Sequence, residues 1–429
     1  MSQTAPQTAP QAAPPAPAPA PAPVPAPAPA SKPDAVVDTP ALLNRWQLIG
    51  MSVAIVFGVL SALVQFLGWQ ADGRAAADTE QLVRVQKIQS SLLNADALAT
   101  NSFLVGGLED PDQRAQYDDA VDEVLTLVTQ AADAQPADQQ VLAELNVAVN
   151  DYATAVAQAR ANNRLGYPIG AEYLSAASSE LDERAMPILD ALVEANTERA
   201  EGAMNGQHPF WLLLIGVAAL AVLVWLNQQL AEAFRRRINK GLVVAGVIVL
   251  VVTAVAVFGA FLRDSSNDSL QEEEFAAAVE LADTRTAANA AKATESLRLI
   301  KRGGGATFEQ QWQESVDEVE DGLSRAEVVA LWDTYKERHA EIVRLDDAGR
   351  WDAARTLATR TDEQGSTAPF AAFDGFLAED TDANAAAATD ELRSGRAVAL
   401  VTSILTVLLG VAAAVAVARG IGERRREFS

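Results

Sequence analysis

Two kinds of hydrophobic spacing alternate along the chain. In the first, apolar residues are continuous. Trp46 to Gly68, Phe210 to Leu226, Gly241 to Leu262 and Ala397 to Ala418 carry no ionisable side chain. Each run is about 17–23 residues long, enough to cross a hydrocarbon core of roughly 30 Å as a helix. In the second, apolar residues recur at three-then-four spacing, which puts them on one face of a helix. Val85, Ile88, Leu92, Ala95 and Ala99 form one such stripe, and Tyr117, Val121, Val124, Val128 and Ala131 a second. Leu142, Leu145, Val149, Tyr152, Val156 and Ala159 form a third, and Leu174, Ala177, Leu181, Ile188 and Leu192 a looser fourth.

Breakers separate the stripes: Gly106-Gly107 with Pro111, then Pro136, then Asn162 to Gly170. Asp112 and Asp138 stand where they can cap the next helix in each case. Four amphipathic helices with short connections predict an antiparallel bundle. The second half repeats the plan with different residues. Helices are expected from about Ser269 to Gly303-Gly304-Gly305, Thr307 to Asp321, Arg325 to Asp346 and Asp352 to Thr359. A last one runs from near Ala368 into the fourth apolar run. Val328, Leu331, Tyr335 and Ile342 mark the buried face of the third.

The predicted fold class is therefore all-α: an integral membrane protein with four transmembrane helices and two extracytoplasmic four-helix-bundle-like domains, in a tandem span–bundle–span repeat. The expected units are a disordered Pro/Ala-rich tail (1–44), spans at 45–69, 209–230, 241–262 and 397–418, and bundles at 70–208 and 263–396. A basic loop (231–240) and a basic tail (419–429) complete the chain. The tail's prolines lack a backbone donor and the segment has little to bury, so it reads as a spacer or as a docking tail for a cytoplasmic partner.

Charge gives the spans a direction. Of the net −24, residues 71–208 carry about −15 and residues 263–396 about −14. Arg235, Arg236, Arg237 and Lys240 come after span two, Arg419 and Arg424, Arg425 and Arg426 after span four, and Arg45 precedes span one. Positive residues beside spans stay on the cytoplasmic side, so both termini are expected inside a plasma membrane and both bundles outside. The first apolar run begins late and is long, so it is expected to remain as an anchor rather than be cleaved. The basic clusters suit cytoplasmic partners or membrane lipids. There is no cysteine, which removes disulfides and thiolate chemistry.

No catalytic constellation is present, and the chain is expected to be neither an enzyme nor the holder of a metal or cofactor. His208 sits at a membrane entry, and His339 reads as a partly buried packing residue. Gly303-Gly304-Gly305 lacks the rest of a phosphate-loop pattern and reads as a helix-ending turn. Glu272-Glu273-Glu274 and Asp317 to Asp321 read as solvated faces, with cation binding as the other option. Arg298, Lys301 and Arg302 form the most basic outer patch; they suit an anionic ligand or acidic partner, or merely a helix C-terminus. Asn162, Asn163, Arg164 and Tyr167 offer directional hydrogen bonds to a partner, although capping alone accounts for the asparagines. Ala54, Gly58 and Ala62, and Thr406, Gly410 and Ala414, have the small-residue spacing that allows close span packing.

Several stretches carry a family resemblance: ARANNRLGYPIGAEYLSAAS at 159–178 with NADALATNSFLVGGLE at 94–109, then SLRLIKRGGG at 296–305 and LWDTYKERHAEIVRLDDAGRWDAA at 331–354, with RRRIN at 235–239. With these the chain resembles the GlnX-like family of actinobacterial four-span membrane proteins, over about residues 45–429. The resemblance implies a relay between an extracytoplasmic amino-acid-binding lipoprotein (GlnH-like) and a cytoplasmic Ser/Thr kinase (PknG-like), serving the sensing of acidic amino acids and nitrogen status. The rival expectations are an envelope scaffold and an accessory subunit of a transporter. Against the latter, the spans lack the charged residues and broken helices of transport pathways. Homo-oligomerisation stays open, and no nucleic-acid partner is expected.

Overall fold

The structure is a computed structural model that describes residues 39–105, 111–165, 167, 169–234, 239–302, 305–323 and 326–427. Most of the Pro/Ala tail, Arg235 to Arg237 and Gly303-Gly304 lie outside the described residues. Among the described residues every regular element is helical, and four helices are long and apolar enough to cross a membrane. The protein is an all-α membrane protein.

Helix α1 (Thr39–Val105) is one unbroken helix of 67 residues. No proline interrupts it, so span one continues directly into the first distal helix, about 100 Å in all at 1.5 Å per residue. The first half then folds back on α2 (Pro111–Ala134), out on α3 (Gln139–Arg164), and back on α4 (Ile169–Glu180) and α5 (Met186–Met204). After a break at Asn205 to His208, α6 (Pro209–Phe234) forms span two. The second half goes out on α7 (Lys240–Leu270) and α8 (Ala276–Lys301), back on α9 (Gly305–Asp321) and out on α10 (Ala326–Asp347). The short α11 (Trp351–Thr359) turns the chain, α12 (Thr367–Ser394) returns, and α13 (Arg396–Glu427) is span four. No break separates span three from the helix expected to start near Ser269; one helical passage runs from Lys240 to Lys301.

Two π-helical turns interrupt otherwise regular passages, Leu181–Ala185 between α4 and α5 and Gln271–Phe275 between α7 and α8. Such a turn inserts one residue and rotates the helix beyond it. This explains why the fourth stripe looked loose. Leu174, Ala177 and Leu181 are buried as expected, but beyond the turn it is Leu189, not Ile188, that enters the core.

The spans pack in a ring, α1 against α13, α13 against α7, α7 against α6 and α6 against α1. Phe57, Leu226, Ala245, Val249, Ala413 and Val417 fill its centre. Valines and leucines such as Val56, Val224, Val251 and Leu408 face outward, as lipid contact requires. The small-residue motifs meet: a Cβ added to Gly58 would stand 3.0 Å from the Gly410 Cα, so only glycine lets α1 and α13 approach this closely. Asn239 caps α7 by accepting from the Gly241 and Leu242 amides, at 3.0 and 3.3 Å. Its Nδ2 donates to the Gly420 carbonyl at 2.9 Å and ties span three to span four.

The two helical regions lean on each other along their first helices. One core joins Val85, Ile88 and Leu92 of α1 and the stripes of α2 and α3 to Leu299, Ile300, Ile342 and Leu345 of the second half. A second core, around Trp312, Trp332, Tyr335, Phe370 and Phe373, belongs to α8, α9, α10 and α12. The halves repeat the same plan but share their burial.

Candidate functional site

Since α1 is continuous, the far ends of the helices lie roughly 50 Å beyond the spans, 33 residues from Asp72 to Val105 at 1.5 Å each. The turn after α3 sits there. Asn163 Nδ2 donates to the Phe103 carbonyl at 3.4 Å, near the end of α1, and Asn162 Nδ2 donates to the Gln158 carbonyl at 2.8 Å. The Asn162 carbonyl accepts from the Leu165 and Tyr167 amides at 3.2 and 3.0 Å. A Cβ on Gly170 would crowd the Ala159 carbonyl and the Asn163 amide, both at 3.1 Å, so the glycine lets α4 start against α3. The asparagines thus build the turn. Arg164 and Tyr167 are exposed and have no side-chain partner among the described residues. Leu165, Ile169 and Tyr173 are exposed beside them.

The basic residues ending α8 come to the same end of the molecule but not as a free cationic patch. Arg298 is only 3% exposed. Its guanidinium donates to Asp346 at 3.2 Å, Asp347 at 2.6 Å, Glu309 at 3.3 Å and the Gly305 carbonyl at 2.7 Å. The expectation of an anion-binding arginine is corrected here: its charge is consumed in holding α8, α9 and α10 together. Lys301 reaches Glu172 of α4 at 2.9 Å, a bridge between the halves. Arg302 lies 3.6 Å from the Trp351 ring centroid, over its face, and carries the left-handed conformation that ends α8. Arg355 of α11 donates to the Leu104 and Val105 carbonyls at 3.4 and 3.2 Å, satisfying the end of α1 from the other half.

Next to Arg298 lies an ionic cluster that sequence reasoning missed. Lys292 Nζ donates to Glu295 at 2.6 Å and to Ser366 Oγ at 2.8 Å, and all three are buried. His339 is also corrected, being fully buried rather than partly so. It bridges Glu295 at 3.0 Å and Glu309 at 3.3 Å and stacks on Trp312 at 3.7 Å. Burial raises the Glu295 pKa, but Lys292 and His339 outweigh it and hold the carboxyl down to about 2. Burial disfavours protonated His339, yet its two carboxylate partners raise its pKa overall. Lys292 and Glu295 are three apart, a spacing that resembles an ordinary exposed helix pair, so nothing local marked them as core.

Three further buried polar groups tie helices together. Asp138 was expected to cap α3; it makes no cap hydrogen bond and instead takes Arg199 of α5 at 2.6 Å and Asn196 at 3.1 Å. Asp96 of α1 accepts from Tyr152 at 3.0 Å and Ser178 at 2.8 Å inside the first core. Burial pushes the Asp96 pKa up to about 7, against the pull of those two hydrogen bonds. Where the helices enter the spans, Asp72 of α1 accepts from Arg263 at 2.9 Å, from Gln207 at 3.0 Å and from Asn267 at 3.5 Å. Arg263 also reaches the Leu392 carbonyl at 3.5 Å. That junction touches all four passages between the spans and the distal helices.

Of the basic residues expected on the cytoplasmic side, Lys240 is exposed at the start of α7, and Arg424, Arg425 and Arg426 continue α13, their side chains lying outside the described residues. Arg235, Arg236 and Arg237 lie outside them altogether. Among the described residues no group of three or more metal-ligating side chains comes together.

Residues 71–205 match the family model of the actinobacterial sensor domain. The matched stretch starts just above span one and ends with α5, so it is the distal part of the first half. The match supports a sensing role. No curated protein and no solved structure gives a significant match to the chain.

Proposed function

We propose that this protein is a transmembrane relay, without catalytic activity of its own, that reads the state of an extracytoplasmic solute-binding lipoprotein of the GlnH type and passes it to a cytoplasmic Ser/Thr kinase of the PknG type. The external state is the supply of acidic amino acids, and with it nitrogen status. The observation that carries the relay is helical continuity. α1 runs from the distal turn's neighbour, Phe103, through span one without a break. A displacement at the tip therefore has a stiff route to the cytoplasmic side. The Asp72 junction couples that route to the other three passages. The sensor-domain match supports the sensing half of the reading, and the basic segments after spans two and four support the orientation.

In this reading the exposed Arg164 and Tyr167 contact the lipoprotein, helped by Leu165 and Ile169. The membrane-distal position suits a tethered partner, and the acidic flanks disfavour unsuited acidic ones. The test is the double substitution Arg164→Ala with Tyr167→Ala in the native membrane. Loss of lipoprotein capture with unchanged protein abundance supports the reading. Retained capture and retained inward signalling remove the turn from it.

A further inference from the structure

A cleft of about 440 Å³ opens between the halves, walled by α1 and α2 on one side and by α8 and α12 on the other. We propose that this cleft binds a small aliphatic ammonium compound, a primary amine or short diamine.

The groups without partners are acceptors. Asn101 lines the cleft, is only 6% exposed, and its Oδ1 has no hydrogen-bond partner among the described residues. A buried polar atom left in that condition is destabilising, and a bound donor would relieve it. Asn94, seven residues earlier, falls on the same face of α1, two turns away. Beside them on the same wall, α2 presents Gln116 and Asp119, three apart. Asp119 has no cationic partner among the described residues, unlike Asp374, whose carboxylate is held by Arg285 at 2.8 and 3.0 Å. Glu123, one turn along α2 from Asp119, is engaged only at longer range, by Lys87 at 3.5 Å and Ser91 at 3.4 Å.

The unmet need is thus for N–H donors and positive charge. Lys292 lines the floor, but its charge is balanced by Glu295, so it leaves no net positive field to repel a cation. Leu98 and Phe370 supply an apolar strip suited to a short methylene chain. An ammonium held by Asp119 and Asn101 would lie between helices of both halves. The surrounding regions carry a large excess of carboxylates, so such a ligand would also relieve repulsion between them.

This proposal stands apart from the relay reading, and either can fail alone. The experiment uses the full chain in nanodiscs and isothermal titration with 1,4-diaminobutane and with butylammonium. Butan-1-ol and potassium chloride at matched ionic strength serve as controls. Saturable binding of the amines, with no response to butan-1-ol or salt, is expected. Asp119→Asn should weaken it about ten- to hundredfold, the worth of a charge-assisted hydrogen bond. Asp119 is exposed, so this variant should melt like the parent. Asn101→Leu should also weaken binding, and would fill the unpartnered position with an apolar side chain. No saturation up to about 10 mM amine, a response matched by potassium chloride, or equal affinity in Asp119→Asn would overturn the proposal.

Discussion

Replacing Asp96 by asparagine should stabilise the protein at neutral and alkaline pH. The carboxyl lies in the first core and accepts from Tyr152 at 3.0 Å and Ser178 at 2.8 Å, and its pKa is pushed by burial from 3.8 to about 7. A carboxyl whose folded pKa exceeds its unfolded one binds more protons in the folded state. Stability is therefore lost as pH rises from near 4 through about 7, and the loss is complete above that. A rise of ~3 pH units at 1.36 kcal/mol each caps the loss at roughly 4 kcal/mol. Asparagine keeps an oxygen for both hydroxyls and cannot ionise. The variant's advantage over the parent should grow by about 2–3 kcal/mol between pH 5 and pH 8, seen as a rise of a few degrees in relative melting temperature. Asp182, pushed up to about 6 by burial and by Glu183, and Asp283, also pushed up to about 6, add losses of the same sign that the substitution leaves in place. The assay is thermal unfolding followed by circular dichroism across pH 5–8 on the full chain in nanodiscs. A variant no more stable than the parent at pH 8, or one with the parent's pH slope, would refute the reasoning.

Three other outcomes are expected. Single cysteines at Ala134 and Ala353 should react with an impermeant thiol reagent on intact cells and one at Ala231 should not; the reverse pattern would overturn the orientation. Arg298→Ala would leave Asp346, Asp347 and Glu309 facing one another without their cation, and should cost about 3–5 kcal/mol in unfolding, with part recovered by Arg298→Lys. Gly58→Val should drive α1 away from α13, seen as lower thermal stability and as loss of disulfide trapping between cysteines placed at Ala54 and Ala414.

The spans and most helices were readable because each depends on local spacing: continuous apolar residues for a span, a three-then-four stripe for a packed helix. Val124, Leu145 and Val156 are buried as their stripes require. Local spacing also marked Gly58 and Gly410 as positions that allow close span packing, though not that they meet each other. The features that stayed hidden depend on distant partners. A one-residue π insertion moved the core position from Ile188 to Leu189, and periodicity has no marker for it. Arg298 and Lys292 have the sequence context of surface residues, and only the arrival of α9, α10 and α12 buries them. Asp138 stands at a capping position, yet Arg199 makes a stronger claim on its carboxylate. The sharing of one core by the two halves comes from α1 packing on α8, which no repeat within either half discloses. At the candidate site the sequence picked out Arg164 and Tyr167 as available groups, and missed the Asp72 junction because its members are spread over four segments.

The relay itself is tested most directly by crosslinking from both faces of the native membrane. Photoreactive residues at Tyr167 outside and at Lys240 inside would be activated with and without the acidic amino acid, and the captured proteins identified. The account predicts a solute-binding lipoprotein at Tyr167, a Ser/Thr kinase at Lys240, and inside capture that changes with the external amino acid and is lost in the Arg164→Ala, Tyr167→Ala chain. Capture of envelope enzymes alone, or inside capture indifferent to the amino acid and to that double substitution, would contradict it.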